Sequence, residues 1–205
     1  MVETMSEKVE ITTYVSDMIA VEKEILSPVE TQLADADIQS YPEAHTLLTK
    51  LQAVLKEHID HLEHHLETLG GHPASGLKSA VSHVFGAAAS AVQSVRKTKA
   101  SKSLRDDYTA VSLACVAYEM LYTSSLVTRN ETTGKIALQH LEDLTSIIME
   151  ISDIIPGAVV KELLELDPSL DGDVLNNVNS NISNAWHTSA REKAQPPAAE
   201  QYATT

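Results

Sequence analysis

Apolar residues recur at intervals of three and four along four long stretches of the chain, the spacing that gathers side chains onto one face of an α-helix. The first stretch, about 8–34, carries Ile11, Val15, Met18, Ile25, Val29 and Leu33. Pro28 lies inside it, and because the spacing continues past the proline the pattern predicts a kinked helix rather than a broken one. A turn over 35–42 leads to a second helix, 42–69, with Leu47, Leu51 and Val54 followed by a run of histidines and Leu69. Gly70-Gly71 and then His72-Pro73 stop it. A third helix is predicted over 105–128, with its seam at Tyr108, Val111, Cys115, Tyr122 and Leu126, and NETTG at 130–134 reads as a tight turn. The fourth, 135–155, presents Ala137, Leu141, Leu144, Ile148 and Ile151, and Pro156-Gly157 is expected to end it.

The remaining segments fit around these four. Residues 77–95 are rich in alanine and serine with valines at helical spacing, which predicts a crossover helix, and 96–105 (RKTKASKSLR) reads as a basic, polar link. Beyond the fourth helix come a short helix near 158–166, a turn at 167–172 and an asparagine-rich helix to about 190. Residues 191–205 contain too little apolar surface to offset the entropy of ordering, so the expected organisation is one helical domain over 1–190 and a disordered tail. Short loops within each half and one long link between them make an all-α, antiparallel four-helix bundle with a helical crossover and extra C-terminal helices.

Composition narrows the class. The chain has 205 residues, of which 4% are aromatic, with seven glycines and seven prolines, thin for a sheet protein and sufficient for alanine- and leucine-rich helices. A net charge of -14 argues against nucleic acid or anionic lipid as partner. Cys115 stands alone, so no disulfide framework exists, and no basic-then-apolar leader or long uninterrupted apolar run is present; the expectation is a cytoplasmic protein. No phosphate loop or nucleophile motif is found. The acidic, aromatic-poor surface predicts a small oligomer at most, with a dimer the first expectation, and no cage.

Two carboxylates fall inside these apolar seams. At about 100° per residue, Glu22 points with Val15, Met18, Ile25 and Val29, and Glu119 with Cys115, Tyr122 and Leu126. The second helix carries Glu57, His58, His61, His64 and His65 within nine residues. A turn centred near Ser40 sets Glu22 opposite His58, within one helical turn of Glu57 and His61. Burying an ionised carboxylate without a partner costs several kcal/mol, so a metal ion is the simplest agent that would hold these groups together. Iron, manganese and zinc accept carboxylate mixed with imidazole. The fourth helix contributes less: Glu142, Asp143, Glu150 and Asp153 are expected to face outward or to the flank, and only His140 stands at the edge of the apolar face. The expected ligands are Glu22, Glu57, His61 and Glu119, assisted by His58 and His140, around one ion or an asymmetric pair.

With Val21-Glu22-Lys23, EHIDHLE at 57–63, the helical crossover and Tyr118-Glu119 followed by Tyr122, the chain resembles the ferritin-like superfamily over about 11–155. Within it the chain is most similar to the bacterial YciE/YciF-type stress proteins. The resemblance implies a four-helix bundle around a di-metal carboxylate centre, with Glu22, Glu57, His61 and Glu119 at the positions of the family's ligands and iron the first choice of metal. The fourth helix departs from that pattern, with Leu141 and Leu144 where acids are expected. Two readings follow: a stress-related metal-binding protein with weak or no oxidase activity, or a helical interaction protein with a degraded metal site.

Overall fold

A computed structural model of the chain describes residues 5–72 and 99–194, with side chains over 10–72 and 99–186. The described elements are α1 (Met5–Leu33), α2 (Ala36–Gln39), α3 (Pro42–Thr68), α4 (Ala100–Val127), α5 (Glu131–Leu166) and α6 (Leu175–Ala194), with no strand among the described residues. The predicted crossover helix at 77–95 lies outside the described residues, as does the tail beyond Ala194. The chain divides into two units, 1–158 and 159–205. The second holds the last turns of α5, a turn in which Asp167 Oδ1 accepts from the Ser169 amide, and α6.

Side-chain bonds in the first unit fix its helix directions. Glu22 meets His58 and Lys23 meets Glu63, while Glu30 reaches back to Lys56, so α1 and α3 are antiparallel. Gln32 meets Asp107 and Glu22 meets Tyr118, so α1 and α4 are antiparallel too. His58 with Asp143 and Lys50 with Glu150 set α5 antiparallel to α3. The result is the expected four-helix bundle of α1, α3, α4 and α5, with α3 and α4 parallel to one another.

Each helix buries a seam that alternates steps of three and four. In α1 it is Ile11, Val15, Met18, Glu22, Ile25 and Val29, with Gln32 next in phase; in α3 it is Ala44, Leu48, Leu51, Leu55, His58, Leu62 and His65. In α4 it is Leu104, Asp107, Val111, Ala114, Tyr118, Leu121 and Ser125, and in α5 Thr133, Ala137, His140, Leu144, Ile147 and Ile151. Strict three-four alternation is what helices packed nearly parallel require, because it keeps one stripe facing the partners over many turns. The polar residues in these seams pair at separate levels. Gln32 Nε2 donates to Asp107 Oδ1 at 3.0 Å at one end, Glu22, His58, Tyr118 and His140 share the middle, and His65 Nε2 lies 2.7 Å from Thr133 Oγ1 at the other end. Hydrogen-bonding partners across the seam are the condition for tolerating polar groups in a packed core.

Several boundaries differ from expectation for identifiable reasons. α4 starts at Ala100, five residues before the predicted 105, and Ala100, Ser103 and Leu104 in its first turn are already buried. Residues 130–134 are not a loop: Arg129 takes up a left-handed φ of 58°, the Asn130 amide reaches back to Ser125 O, and Asn130 Oδ1 then accepts from the amide and hydroxyl of Thr133. Asn130 thus caps the start of α5. Gly134 sits in its first turn where a Cβ would come within 2.8 Å of Ser125 Oγ, so its lack of a side chain allows α4 and α5 to approach. Pro156-Gly157 does not end the fourth helix, which continues to Leu166 with Pro156 inside it. A proline forfeits one backbone bond, and a packed bundle can absorb that defect as it does at Pro28 in α1. By contrast, Gly70 at φ 80° closes α3 where the sequence indicated.

The phase of α4 is directly testable. Leu121 is fully buried and Met120 beside it is half exposed. Leu121→Ala should lower the unfolding free energy by about 2–5 kcal/mol, while Met120→Ala should stay within about 0.5–1 kcal/mol of wild type, as read from urea midpoints. Equal losses would mean that the seam has been assigned to the wrong face.

Candidate metal centre

One polar side chain from each bundle helix meets in the middle layer. Glu22 on α1 is fully buried, as is Tyr118 on α4, and His58 on α3 and His140 on α5 are 3% and 2% exposed. His58 Nδ1 lies 2.9 Å from Glu22 Oε1, and the Tyr118 hydroxyl donates to the same oxygen at 2.7 Å. His140 Nδ1 lies 2.8 Å from the Tyr118 oxygen. Tyr118 has a single hydrogen and gives it to the carboxylate, so its oxygen must accept from His140. This chain of bonds places the His140 hydrogen on Nδ1 and leaves the Nε2 lone pair facing His61 Nδ1 at 3.4 Å. On the other ring, His58 Nε2 faces Asp143 Oδ2, also at 3.4 Å.

Burial controls the charge states. It pushes the Glu22 carboxyl above its ordinary value, an effect opposed by the bond and charge of His58 and by Tyr118. His140 is driven down to about 3, first by burial and then by the neighbouring His58 and His61, so its imidazole is neutral at every ordinary pH. A neutral imidazole with a free lone pair is the form that binds metal. Tyr118 is held well above its usual value by burial and by Glu22 and stays a phenol. Glu22 Oε2 has no hydrogen-bond partner. An unpartnered oxygen on a fully buried carboxylate is costly unless something else occupies its lone pairs.

The ligand-type atoms of Glu22, His58 and His140 all lie within 4.8 Å of one another, which is the geometry of a group able to hold a metal ion. The rings of His58 and His140 are stacked, with centroids 3.7 Å apart and planes within 2° of parallel. Imidazole lone pairs lie in the ring plane, so in this arrangement they run side by side. A single ion can use both only if the rings tilt toward each other.

The other expected ligands fall elsewhere. Glu57 is exposed on α3, one residue short of the seam position held by His58. Glu119 is exposed on α4, because Tyr118 holds the inward position and the next residue is turned about 100° away. The inward direction expected for Glu119 is therefore not met. His61 has an exposed side chain at the rim, in reach of His140 but outside the seam. His140, expected at the edge of the apolar face, is in the core instead, and Asp143, expected outward or to the flank, stands on the flank one turn along α5, beside His58. Tyr118 is not among the expected ligands, although its three-four spacing from Val111, Ala114, Leu121 and Ser125 marks it as inward.

No protein-family model and no curated protein matches the chain. Among solved structures it is similar to the crystal structure of antigen TpF1 from Treponema pallidum, with a TM-score of 0.62 and 11% sequence identity over 75% of this chain and 96% of that one. At that identity the likeness is one of fold, and the fold that the two chains share is an all-α helical bundle.

Proposed function

We propose that the chain is a metal-binding protein of the ferritin-like type whose centre is rich in histidine and holds a single ion. The observation that carries this reading is the middle layer, where ligand-type atoms of Glu22, His58 and His140 lie within 4.8 Å of one another and Glu22 keeps a buried oxygen, Oε2, without a partner. Two imidazoles and one carboxylate suit iron(II) or zinc better than magnesium or calcium, which prefer all-oxygen sites. His61 and Asp143, each one turn from a seam histidine, are placed to support the ion from the rim. Bound there, the ion would supply Lewis acidity, and with iron one-electron chemistry. Glu22 would hold it by charge, His58 and His140 by nitrogen, and Tyr118 would keep His140 oriented.

A paired-metal oxidase centre in a bundle of this type draws carboxylates from all four helices. With Glu57 and Glu119 exposed and Tyr118 in the α4 position, the layer offers one buried carboxylate among the described residues. Oxygen consumption on adding iron(II) should therefore stay near the protein-free rate; rapid uptake of two irons per chain with matching oxygen loss would contradict the single-ion reading.

The second reading, a helical interaction protein without a working centre, is favoured by a different observation. Glu22 Oε1 already accepts from both His58 and Tyr118, so the layer is partly closed by its own bonds. Equilibrium dialysis of chelator-treated protein against iron(II) and zinc, followed by elemental analysis, separates the two. About one equivalent per chain supports the metal centre, and less than a tenth of an equivalent of either ion leaves the interaction protein.

A further inference from the structure

Away from the middle layer, a second set of buried polar atoms lies where the C-terminal end of α1 meets the N-terminal end of α4. Asp107 is 4% exposed, and Gln32 Nε2 donates to its Oδ1 at 3.0 Å. The remaining oxygens of this pair, Asp107 Oδ2 and Gln32 Oε1, are both buried and both without a partner. Two acceptors buried together with no donor lack a hydrogen atom, and a carboxylic acid is the one form of either side chain that can supply it.

We propose that Asp107 and Gln32 form a proton-dependent clasp between α1 and α4, in which protonated Oδ2 of Asp107 donates to Oε1 of Gln32 and completes a cyclic acid–amide pair with the existing Nε2–H···Oδ1 bond. Loss of the proton breaks one of the two bonds and leaves a carboxylate in the core facing the Gln32 carbonyl. The surroundings favour the protonated form. Burial is the main influence and raises the Asp107 carboxyl to about 7; the Gln32 bond opposes the rise and the charge of Asp106 adds to it. Arg105, two residues from Asp107 on α4, binds Asp106, and Lys56 of α3 binds Glu30, two residues from Gln32 on α1. The folded-state value lies above the unfolded one of 3.8, so the stability that the clasp contributes is complete below about pH 4 and is lost as pH rises toward 7, with no further loss above. Within the folded protein the clasp itself opens around neutrality, which makes the α1–α4 end of the bundle a pH-sensitive element independent of metal binding.

Carbon-13 NMR of aspartate carboxyls in the full-length wild-type protein tests this without any substitution. One carboxyl titrating with a midpoint between about 6 and 8 is expected, and all aspartates titrating below about pH 5 would overturn the clasp. Asp107→Asn assigns the signal and tests the mechanism, since asparagine keeps the planar shape and carries a permanent donor. The variant and wild type should melt together near pH 4.5, and the wild type should fall behind as pH rises, by about 5 °C or more at pH 8. A melting difference that stays constant from pH 4.5 to 8 would show that Asp107 does not change its protonation in the folded protein.

Discussion

Wild-type protein held at a free iron(II) or zinc concentration about 100 times its dissociation constant should melt about 5–10 °C higher than the metal-free form, and the double variant His58→Ala/His140→Ala should lose all of that shift. An ion that binds only the folded state at this excess adds about 2.7 kcal/mol, and a chain of this size gains about 2–4 °C for each kcal/mol. The double variant removes both seam imidazoles of the triad and leaves Glu22 with one remaining bonded partner, Tyr118. Its metal-free form will itself be less stable, because truncating buried side chains opens cavities. The diagnostic quantity is thus the difference between metal-loaded and metal-free melting within each protein. Should the variant keep the full shift, the ion would be bound elsewhere, with the exposed His64 and His61 the first alternatives. Binding must also separate the parallel rings of His58 and His140, so the ring-proton signals that stacking displaces should return toward ordinary histidine positions when metal is added.

The fold was legible in the sequence because its long helices carry ordinary signals: apolar residues at helical spacing, Gly70 at the end of α3 and a continuous pattern through Pro28. The site was legible only in part, and the reason is helical phase. In α1 the contrast between faces is clear, and Glu22 was placed correctly from its apolar neighbours. α4 is different, since Val116, Met120, Leu126 and Val127 make its exposed side apolar as well. The helix is long and apolar enough to pass for a membrane span by composition alone, yet Asp107, Tyr118 and Ser125 lie in its buried seam. With both faces apolar, the periodicity fixes that a helix exists and leaves its rotation uncertain by one residue, which exchanges Tyr118 for Glu119. On α5 the same step moves His140 from the edge into the core.

Which polar residues meet across the core is harder to read, because Glu22, His58, Tyr118 and His140 share the seams with other polar groups. The seams contain Gln32, Asp107, Ser125, Thr133 and His65 as well, and the structure pairs Gln32 with Asp107 and His65 with Thr133 across the core. Partner choice depends on the axial level at which each helix starts. The sequence pattern places the starts of α4 and α5 at about 105 and 135, whereas the helices begin at Ala100 and Glu131.

Glu22→Gln should have opposite effects on the metal-free protein and on metal binding. In the metal-free protein the carboxylate is fully buried, its Oε2 has no partner, and burial raises its proton affinity despite the bonds from His58 and Tyr118. Glutamine keeps the shape and an oxygen able to accept from both neighbours, and it replaces an unpartnered charged oxygen by an unpartnered neutral group, whose desolvation costs less. The metal-free variant should therefore melt no lower than wild type at pH 7 and should gain up to about 1 kcal/mol. Metal binding should weaken by about 100-fold or more, since the one buried negative charge of the triad is gone and an amide oxygen is a poor substitute. Glu22→Ala separates this from a loss of packing, because it leaves the Tyr118 hydroxyl and His58 Nδ1 without their acceptor and should lower metal-free stability by about 2–4 kcal/mol. If Glu22→Gln instead costs the metal-free protein more than about 2 kcal/mol while leaving affinity intact, the Glu22–His58 pair is a structural ion pair and the buried layer exists to set helix register rather than to hold an ion.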